Sequence, residues 1–536
     1  INRFTIFFDG MEKGGTLYVD DLSIEPTDTV ALSENKSKDA LPSFRGFYTN
    51  RDIFMFSHGE VGKFDFKLLN RREIKSEVKA IFSFGQHGQG SEQKREERII
   101  KILPESMEII SYEFKAADFP FGVYDIFARF IDLKSNQEIG NTWISIGICS
   151  STKLRKAKEG EFLYGLDTSL RAAFRDKKIM LWTEYMGVDI IRGGFETWED
   201  RGKNSGDLMK MIDEGMSIYK RYNLRVMLNV DPPQPKSEDW MLSYEDLLTK
   251  RISFVERVAK KYPEITYWEL GNEPDIGFYN GPKEQYAADF LKLYKAIKNS
   301  NKNTVVMNGG FAYDTKNIVT ILKNIPNESI DIIAYHGHGP GVNAERSAYE
   351  KIRQIADSTG HADKLLVETE SGMDARTYEQ EEEQAATVIQ KIVYAQSKKQ
   401  PFFMFFRLAF EHPAQYNMTR FEDRRQPRPS ILSYRTLVEV LRGFVFSHLV
   451  DFNREGLESY IFYEPSTNKR VAVLWVNNKI SHSIFLKIGS TAEKISEPEI
   501  IDMYGNTSSA SVLSDGRLKL EVTNLPKFVR WISTEP

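Results

Sequence analysis

The sequence predicts a multidomain protein in which a (β/α)8 TIM barrel is flanked by N-terminal and C-terminal β-sandwich domains. Two patterns lead to this fold class. Short apolar runs alternate with amphipathic helical segments through the middle of the chain, and strand-like segments separated by turn residues fill both ends. The 536 residues are enough for roughly three or four domains of about 150 residues each.

The first 155 residues have the pattern of strands. Residues 1–25 predict a strand pair, the remnant of an N-terminal jelly-roll or carbohydrate-binding-like module, because two strands are not stable alone. Residues 26–155 contain seven short strands at the spacing of an immunoglobulin-like β-sandwich. The polar stretch 151–161, "STKLRKAKEGE", is typical of a linker.

Residues 156–443 predict the barrel, because eight β/α units over about 280 residues are its characteristic number. Ser243 and Pro282 indicate two helix starts. A doubly wound sheet is the alternative, but it would usually carry a glycine-rich phosphate loop after its first strand, and this chain has none there. The apolar runs are "FLYGLD", "VDIIRGG", "LRVMLNV", "ITYWELGN", "TVVMNGG", "DIIAYHGH", "KLLVETE" and "FFMFFRLAF". Residues 444–536 return to strand patterns and predict a second β-sandwich packed against the barrel.

Composition excludes several classes of function. The 72 basic and 76 acidic residues give a net charge of -4, without the basic excess of a nucleic-acid-binding protein. The single cysteine, Cys149, excludes an intrachain disulfide. No run of about 18 apolar residues indicates a membrane span, and the given chain opens without a signal peptide.

Candidate catalytic carboxylates follow from the rule that function in a barrel lies at the C-terminal ends of its strands. In "ITYWELGNEPD" the rule selects Glu273, with Glu269 deeper in the strand and Asp275 beyond it in the loop. In "LLVETESG" it selects Glu370. Strand alternation predicts that Glu368 shares the face of Glu370, one layer deeper.

Two carboxylates that face each other across a barrel mouth suit the cleavage of glycosidic bonds. One protonates the leaving oxygen, and the other attacks the anomeric carbon or activates water. Strands four and seven lie on opposite sides of the ring, close enough for a carboxyl gap of about 5 Å, which implies retention of configuration. Glu269 and Glu368 are expected to be buried supports, with Arg192 and Arg407 as their partners.

The two motifs resemble the signatures of clan A glycoside hydrolases, the retaining (β/α)8 glycosidases. This resemblance implies that Glu273 in "WELGNEPD" is the acid/base, that Glu370 in "LLVETESG" is the nucleophile, and that Asn272 contacts the sugar. It also implies that Arg192 in "IIRGG" supports the nucleophile and that His336 in "AYHGH" belongs to the strand-six histidine motif.

The resemblance covers residues 162 to about 440, and the trailing sandwich resembles the C-terminal domains of families 39, 51 and 79. It implies a retaining enzyme that cleaves β-linked oligo- or polysaccharides through a covalent glycosyl-enzyme, with no cofactor and no metal. The expected partner is a β-linked glycan, and the expected location is secreted, periplasmic or at a bacterial cell surface. The sequence leaves the exact family and the oligomeric state open.

Two positions depart from the clan's pattern. His338 stands where the clan usually has a tyrosine that hydrogen-bonds the nucleophile, and Arg407 where strand eight usually ends in a tryptophan. An arginine there predicts a carboxylate or sulfate on the sugar. Trp198, Trp240 and Tyr313 follow strands two, three and five and are candidate sugar platforms, with packing as the alternative.

Two other functions stay open. A non-catalytic carbohydrate-binding protein on the same scaffold would bind glycans without turning them over. His336 and His338 form an H-x-H pair, a pattern that binds zinc, so a metal-dependent hydrolase is the third hypothesis. Barrel hydrolases of that kind carry the motif on strand one, where this chain lacks it. Asp167, at the end of strand one, is a further candidate for the pocket.

Overall fold

The computed structural model describes residues 41–88, 92–168, 177–194, 205–235, 243–409, 414–420, 423–478, 480–489 and 498–532. Within this part of the chain the predicted fold class is confirmed, since a closed parallel barrel lies between two regions rich in sheet. The strand pair predicted at 1–25 and the candidate platforms Trp198 and Trp240 lie outside the described residues.

The N-terminal region contains two sheets that enclose an aromatic core. Its strands are β1 (Ser43–Tyr48), β2 (Met55–Ser57), β3 (Val61–Asn70), β4 (Ser76–Gln86), β5 (Glu92–Ile102), β6 (Ser106–Lys115), β7 (Gly122–Asp132) and β8 (Gln137–Cys149). One sheet has the order β1-β3-β6, and the other β2-β8-β7-β4-β5. Alternate residues of β3 are buried, as expected for a strand with one face on a core.

Eight parallel strands close the central barrel in chain order, and β16 pairs with β9 to complete the ring. The barrel strands are β9 (Leu163–Asp167), β10 (Ile190–Gly194), β11 (Arg225–Asn229), β12 (Tyr267–Leu270), β13 (Val305–Asn308), β14 (Ile332–Tyr335), β15 (Leu365–Ser371) and β16 (Phe402–Phe405). The described helices are α1 (Lys177–Met186), α2 (Ser205–Arg221), α3 (Tyr244–Lys261), α4 (Lys283–Ser300), α5 (Thr315–Lys323), α6 (Gly341–Ser358), α7 (Tyr378–Ser397) and α8 (Pro429–Leu441).

Local sequence explains where two of these helices begin. The side chain of Ser243 accepts a hydrogen bond from the backbone N–H of Asp246 and caps α3, which satisfies a donor that the first turn leaves free. Pro282 directly precedes α4, and its fixed φ suits a helix start. Both boundaries match the prediction from the sequence.

The barrel interior is built in two layers. An apolar layer fills the interior below the mouth and consists of Leu163, Ile190, Met227, Met307, Ile332, Ala334, Val367, Phe402 and Met404. Two residues further along their strands, Arg192 and Asn229 present polar side chains toward the mouth, where they meet Glu269 of β12. The polar site therefore rests on a packed apolar floor, as in other barrels of this kind.

Strand β15 corrects one expectation about the carboxylates. Val367 faces the barrel interior, whereas Glu368 points to the helix layer, where it meets Glu345 of α6. The pairing of β15 with β16 shifts register between Glu368 and Ser371, and beyond the shift Glu370 again faces the interior. The prediction that Glu368 and Glu370 share a face was wrong, because a register irregularity breaks strand alternation.

The C-terminal region is a second assembly of antiparallel strands. These strands are β17 (Val445–Leu449), β18 (Leu457–Tyr463), β19 (Lys469–Val476), β20 (His482–Lys487), β21 (Glu499–Ile501), β22 (Thr507–Ser509), β23 (Arg517–Val522) and β24 (Lys527–Ile532). Six of them form one sheet, and β20 pairs with β23 in a second. Trp475 and Phe462 from this region join the core around the barrel helices. Among the described helices none combines the length and apolar character needed to cross a membrane.

Candidate active site

Polar side chains from several strands converge at the mouth of the barrel. Arg192 lies near the end of β10, Glu370 near the end of β15, and Glu273 just beyond β12. His336 directly follows β14. These residues, which the sequence singled out, therefore lie at the C-terminal ends of four barrel strands, where barrel enzymes carry their active sites.

Arg192 is buried and binds four side chains at once. Its Nε donates to Oε2 of Glu269 at 2.6 Å, and Nη1 donates to Oδ2 of Asp167 at 2.8 Å. The same Nη1 donates to Oε2 of Glu370, and Nη2 donates to Oδ1 of Asn272 at 2.6 Å. The expected pairing of Glu269 with Arg192 is confirmed. The planar guanidinium thus fixes the relative positions of groups from β9, β12 and β15 and from the turn after β12.

Glu370 is an ionised carboxylate. Burial alone would raise its pKa, but the Arg192 guanidinium and the ring of His336 outweigh burial and hold the pKa well below its usual range. Nε2 of His338 lies 3.5 Å from Oε1 of Glu370. The position where the clan usually has a tyrosine is therefore occupied by a side chain that reaches the same carboxylate.

Asp167 shares Arg192 with Glu370 but has the opposite electrostatic character. Burial raises the pKa of Asp167 above its usual range, while Arg192 opposes the rise and the charge of Glu370 adds to it. Two carboxyl groups that share one guanidinium therefore differ in affinity for a proton. Such a difference lets one of them stay negative while the other holds a proton more readily.

Glu273 is held in an uncommon backbone conformation. Its φ is +40°, and Gly271 two residues earlier has a φ of +102°. A side chain at Gly271 would be strained at that φ and would also lie 3.2 Å from the ring of Tyr286. A non-glycine residue with positive φ stores backbone strain, which is concentrated at functional sites.

The imidazole of His336 links the two halves of the site. Its Nδ1 lies 2.9 Å from Oε1 of Glu273. Burial alone would lower the pKa of His336, but the charge of Glu370 and the hydrogen bond to Glu273 raise it above the usual value. His336 therefore holds a proton more readily than a free imidazole, and its charge favours the ionised form of Glu370.

The sequence reasoning did not single out Asn229, and it assigned no role to Asp275. Asn229 donates to Oε2 of Glu269 at 2.7 Å and to the carbonyl oxygen of Gly271 at 2.6 Å. Its place at the end of β11 is a signal that the barrel rule could have used. Asp275 is fully buried and accepts hydrogen bonds from the backbone N–H groups of residues 312–314, which include Tyr313.

The loop after β16 completes the mouth. Arg407 is half-buried, its guanidinium lies 3.8 Å from the ring centroid of Phe406, and its charge acts on Asp167. Tyr416, in a short 3-10 turn, lies 5.9 Å from the ring of His338 and was not singled out from the sequence. Tyr313 is 67% exposed, a state that leaves its ring available for stacking. The loop therefore adds a cation and an aromatic ring to the site.

One group of side chains in the site also has the donors of a metal site. Glu273, His336 and His338 each offer one ligand atom, and these atoms lie within 4.8 Å of one another. Two imidazoles and a carboxylate are ligands that zinc takes in catalytic sites. The same side chains take part in the contacts to Glu273 and Glu370 described above, so the residues fit either use.

Comparison with known proteins identifies the barrel. A family model described as cellulase (glycosyl hydrolase family 5) matches residues 163–405, which run from the start of β9 to the end of β16. No curated protein sequence matches the chain.

Two solved structures share the fold at low sequence identity. A family 39 glycoside hydrolase from the gut symbiont Bacteroides cellulosilyticus WH2 is 15% identical, with 90% of this chain and 99% of that chain covered and a TM-score of 0.61. A family 30 subfamily 8 xylanase from Clostridium acetobutylicum is 11% identical, with 70% and 98% covered and a TM-score of 0.51. Residues 163–405, the barrel from its first strand to its last, are therefore a glycoside hydrolase domain of clan A, as the two carboxylate motifs predicted.

Proposed function

We propose that the chain cleaves β-glycosidic bonds of an oligo- or polysaccharide with retention of configuration. One observation carries the proposal. Arg192 binds the ionised Glu370 on one side and Asn272, the neighbour of Glu273, on the other. A single buried guanidinium thereby keeps a negative nucleophile and a second carboxyl group at one site, which is the arrangement that double displacement needs.

In the first step the carboxylate of Glu370 attacks the anomeric carbon and forms a glycosyl ester. The bond from that carbon to the leaving oxygen breaks, and Glu273 gives its proton to that oxygen. In the second step Glu273 takes a proton from water as the water attacks the same carbon, and Glu370 leaves as a carboxylate. Asn272 binds the 2-hydroxyl of the sugar throughout.

His336 orients the acid/base in this scheme. When Nδ1 of His336 carries a proton, it donates to Oε1 of Glu273 and leaves Oε2 as the atom that exchanges a proton with the leaving group or water. The positive charge on His336 also stabilises Glu273 after the first step, when Glu273 has become a carboxylate.

The proposed substrate is an anionic β-linked glycan, and the proposed location is secreted, periplasmic or at a bacterial cell surface. Arg407 supports the first point, because its charge acts on Asp167 within the site. A guanidinium there pairs with a carboxylate or sulfate on the sugar. Paired substrates with and without the acidic group test this proposal. Equal kcat/KM for both would contradict it, and Arg407→Ala should abolish any preference.

The mechanism is tested by replacing the two carboxylates. Glu370→Ala should lose nearly all activity, and azide should restore turnover with an inverted product, because it attacks from the face that Glu370 leaves open. Glu273→Ala should lose about 10²- to 10⁴-fold, the usual contribution of general acid–base catalysis. Glu383→Ala, at an exposed position of α7, is the matched control. Full activity in Glu370→Ala would refute the assignment.

A metal-dependent hydrolase is the second candidate, favoured by the donor set of Glu273, His336 and His338. A chelator distinguishes the two functions. Double displacement predicts unchanged activity after chelation. Loss of activity that zinc restores, together with loss in His338→Phe, would favour the metal-dependent function instead.

A further inference from the structure

A cluster of buried charged groups lies behind the strand that carries Glu370. Glu368 of β15, Glu345 of α6 and Lys391 of α7 are all fully buried between barrel and helices. The amine of Lys391 donates to the carbonyl oxygen of Gly337 at 2.5 Å and to Oγ of Ser371 at 2.8 Å. The cluster therefore contacts the residue after Glu370 and the glycine between His336 and His338.

The two carboxyl groups of this cluster point to the same place beside Gly337. Oε2 of Glu345 and Oε2 of Glu368 each lie 2.8 Å from the position that a Cβ atom on Gly337 would take. The oxygens of Glu345 accept hydrogen bonds from Tyr335 at 2.6 Å and Ser371 at 3.2 Å. Oε2 of Glu368 meets no donor among the described residues. Because an ionised carboxylate only accepts hydrogen bonds, a proton held by one of the two groups would supply the donor that this place lacks.

Charge balance supports the same conclusion. Two ionised glutamates beside the single ammonium of Lys391 would leave an uncompensated negative charge in a fully buried cluster, which is strongly unfavourable. One shared proton brings the three side chains to zero net charge. Burial raises the pKa of Glu368 well above its usual value, and the neighbouring Glu345 raises it further.

The remaining oxygen of Glu368 reaches the candidate nucleophile. Oε1 of Glu368 accepts a hydrogen bond from the backbone N–H of Glu370 at 3.1 Å. This contact lies within the register shift that turns Glu370 toward the barrel mouth. A side-chain acceptor thus binds the backbone at the point where the regular strand pairing is interrupted.

We infer that Glu368 is an uncharged carboxylic acid that donates to Glu345 and holds the backbone of Glu370, and so is a positioning residue for the nucleophile. The inference rests on the proposed function, in which Glu370 attacks the sugar. Glu368 itself touches no reacting atom. It fixes the direction in which the carboxylate of Glu370 points, and Lys391 fixes the adjoining Ser371 and Gly337.

Substitutions of Glu368 distinguish a protonated, uncharged side chain at this position from an ionised one. Glu368→Gln keeps a donor toward Glu345 and an acceptor for the N–H of Glu370, so its kcat should stay close to the wild-type value. Glu368→Leu removes both contacts, and a misdirected nucleophile should lower kcat by about 10²-fold with little change in KM. Glu383→Gln, exposed on α7, is the control. If Glu368→Gln is as impaired as Glu368→Leu, the inference is overturned.

Two further measurements do not depend on enzyme activity, and they do not require the Glu368→Leu variant to fold. The infrared spectrum of the wild type should contain the carbonyl band of the protonated Glu368 carboxyl group, and the spectrum of Glu368→Gln should lack that band. The melting temperature of Glu368→Gln should also rise relative to wild type as the pH increases. A group with a raised folded pKa stabilises below its unfolded pKa and loses that contribution as pH rises through the folded pKa, and glutamine does not titrate.

The groups that face Glu368 in this titration are Tyr335 of β14, Glu345 of α6, Lys391 of α7 and Glu370 of β15. An infrared band that persists in Glu368→Gln, or a melting difference that does not change with pH, would overturn the inference. Full activity of Glu370→Ala would refute the proposed function alone, because the infrared and melting results do not depend on which carboxylate attacks.

Discussion

Replacement of Arg192 by lysine tests the electrostatic design of the site. Lysine keeps the positive charge but presents one nitrogen, whereas three nitrogens of Arg192 bind Glu269, Asp167, Glu370 and Asn272. These partners lie in different directions around the guanidinium plane. A single ammonium therefore cannot hold all of them, and we expect contact with either Glu370 or Asn272 to be lost.

The magnitude follows from the contact that is lost. A hydrogen bond to a buried charged group contributes about 1.5–3 kcal/mol. Because about 1.4 kcal/mol corresponds to tenfold in rate, kcat/KM should fall about 10- to 150-fold in Arg192→Lys. The matched control is Arg257→Lys, at an exposed position of α3, and it should leave kcat/KM unchanged.

Arg192→Met adds a test that depends on pH. The Arg192 charge holds the pKa of Glu370 low against the effect of burial, so its removal should raise that pKa. Glu370 must be ionised to attack, and the acid limb of kcat/KM against pH should move to higher pH. The assay is initial-rate hydrolysis of an aryl glycoside across the acid range. An acid limb that superimposes on the wild-type limb would refute the reasoning.

Three further predictions concern the loops and the floor of the site. Tyr313→Ala should raise KM about 2- to 10-fold and leave kcat unchanged, because its exposed ring is the candidate platform for the sugar. The control is Tyr463→Ala, at an exposed position of β18, which should leave KM unchanged. A KM of Tyr313→Ala equal to that of the wild type would remove Tyr313 from the site. Gly271→Ala should cost about 1–3 kcal/mol of unfolding free energy, since alanine is strained at that φ, and urea denaturation will detect it. Phe402→Ala, in the apolar layer, should cost about 3–5 kcal/mol in the same measurement, and a loss below 1 kcal/mol would contradict the packed floor.

The barrel was predictable because its signals are local. Each of the eight apolar runs coincides with one barrel strand to within a residue or a few at its ends, and Ser243 and Pro282 mark the helix starts that their chemistry favours. The rule about strand ends then selected Glu273 and Glu370, which lie at the mouth together. Such inferences need only the spacing of residues along one element and the known geometry of a closed ring.

Features that depend on contacts between distant segments were not predictable in this way. The register shift in β15 occurs in its pairing with β16, and no pattern within "LLVETESG" predicts it. Asp275 binds backbone groups 37 to 39 residues further along the chain. Tyr416 reaches His338 through a loop that no periodicity describes. In each case the role of the residue depends on the segment that it contacts, and that segment lies far away in the sequence.

The contacts of Arg192 also distinguish the residues that set the charge of the site from the loop residues that can be exchanged without changing that charge. Asp167, Glu269 and Glu370 belong to β9, β12 and β15. The carboxyl groups that surround Arg192 therefore lie on the barrel strands themselves. Tyr313, the candidate sugar platform, and Arg407, the proposed partner of an acidic group on the sugar, lie on the loops beyond the ring. Exchange of those loops should therefore redirect the enzyme to a different sugar while its pH profile stays the same.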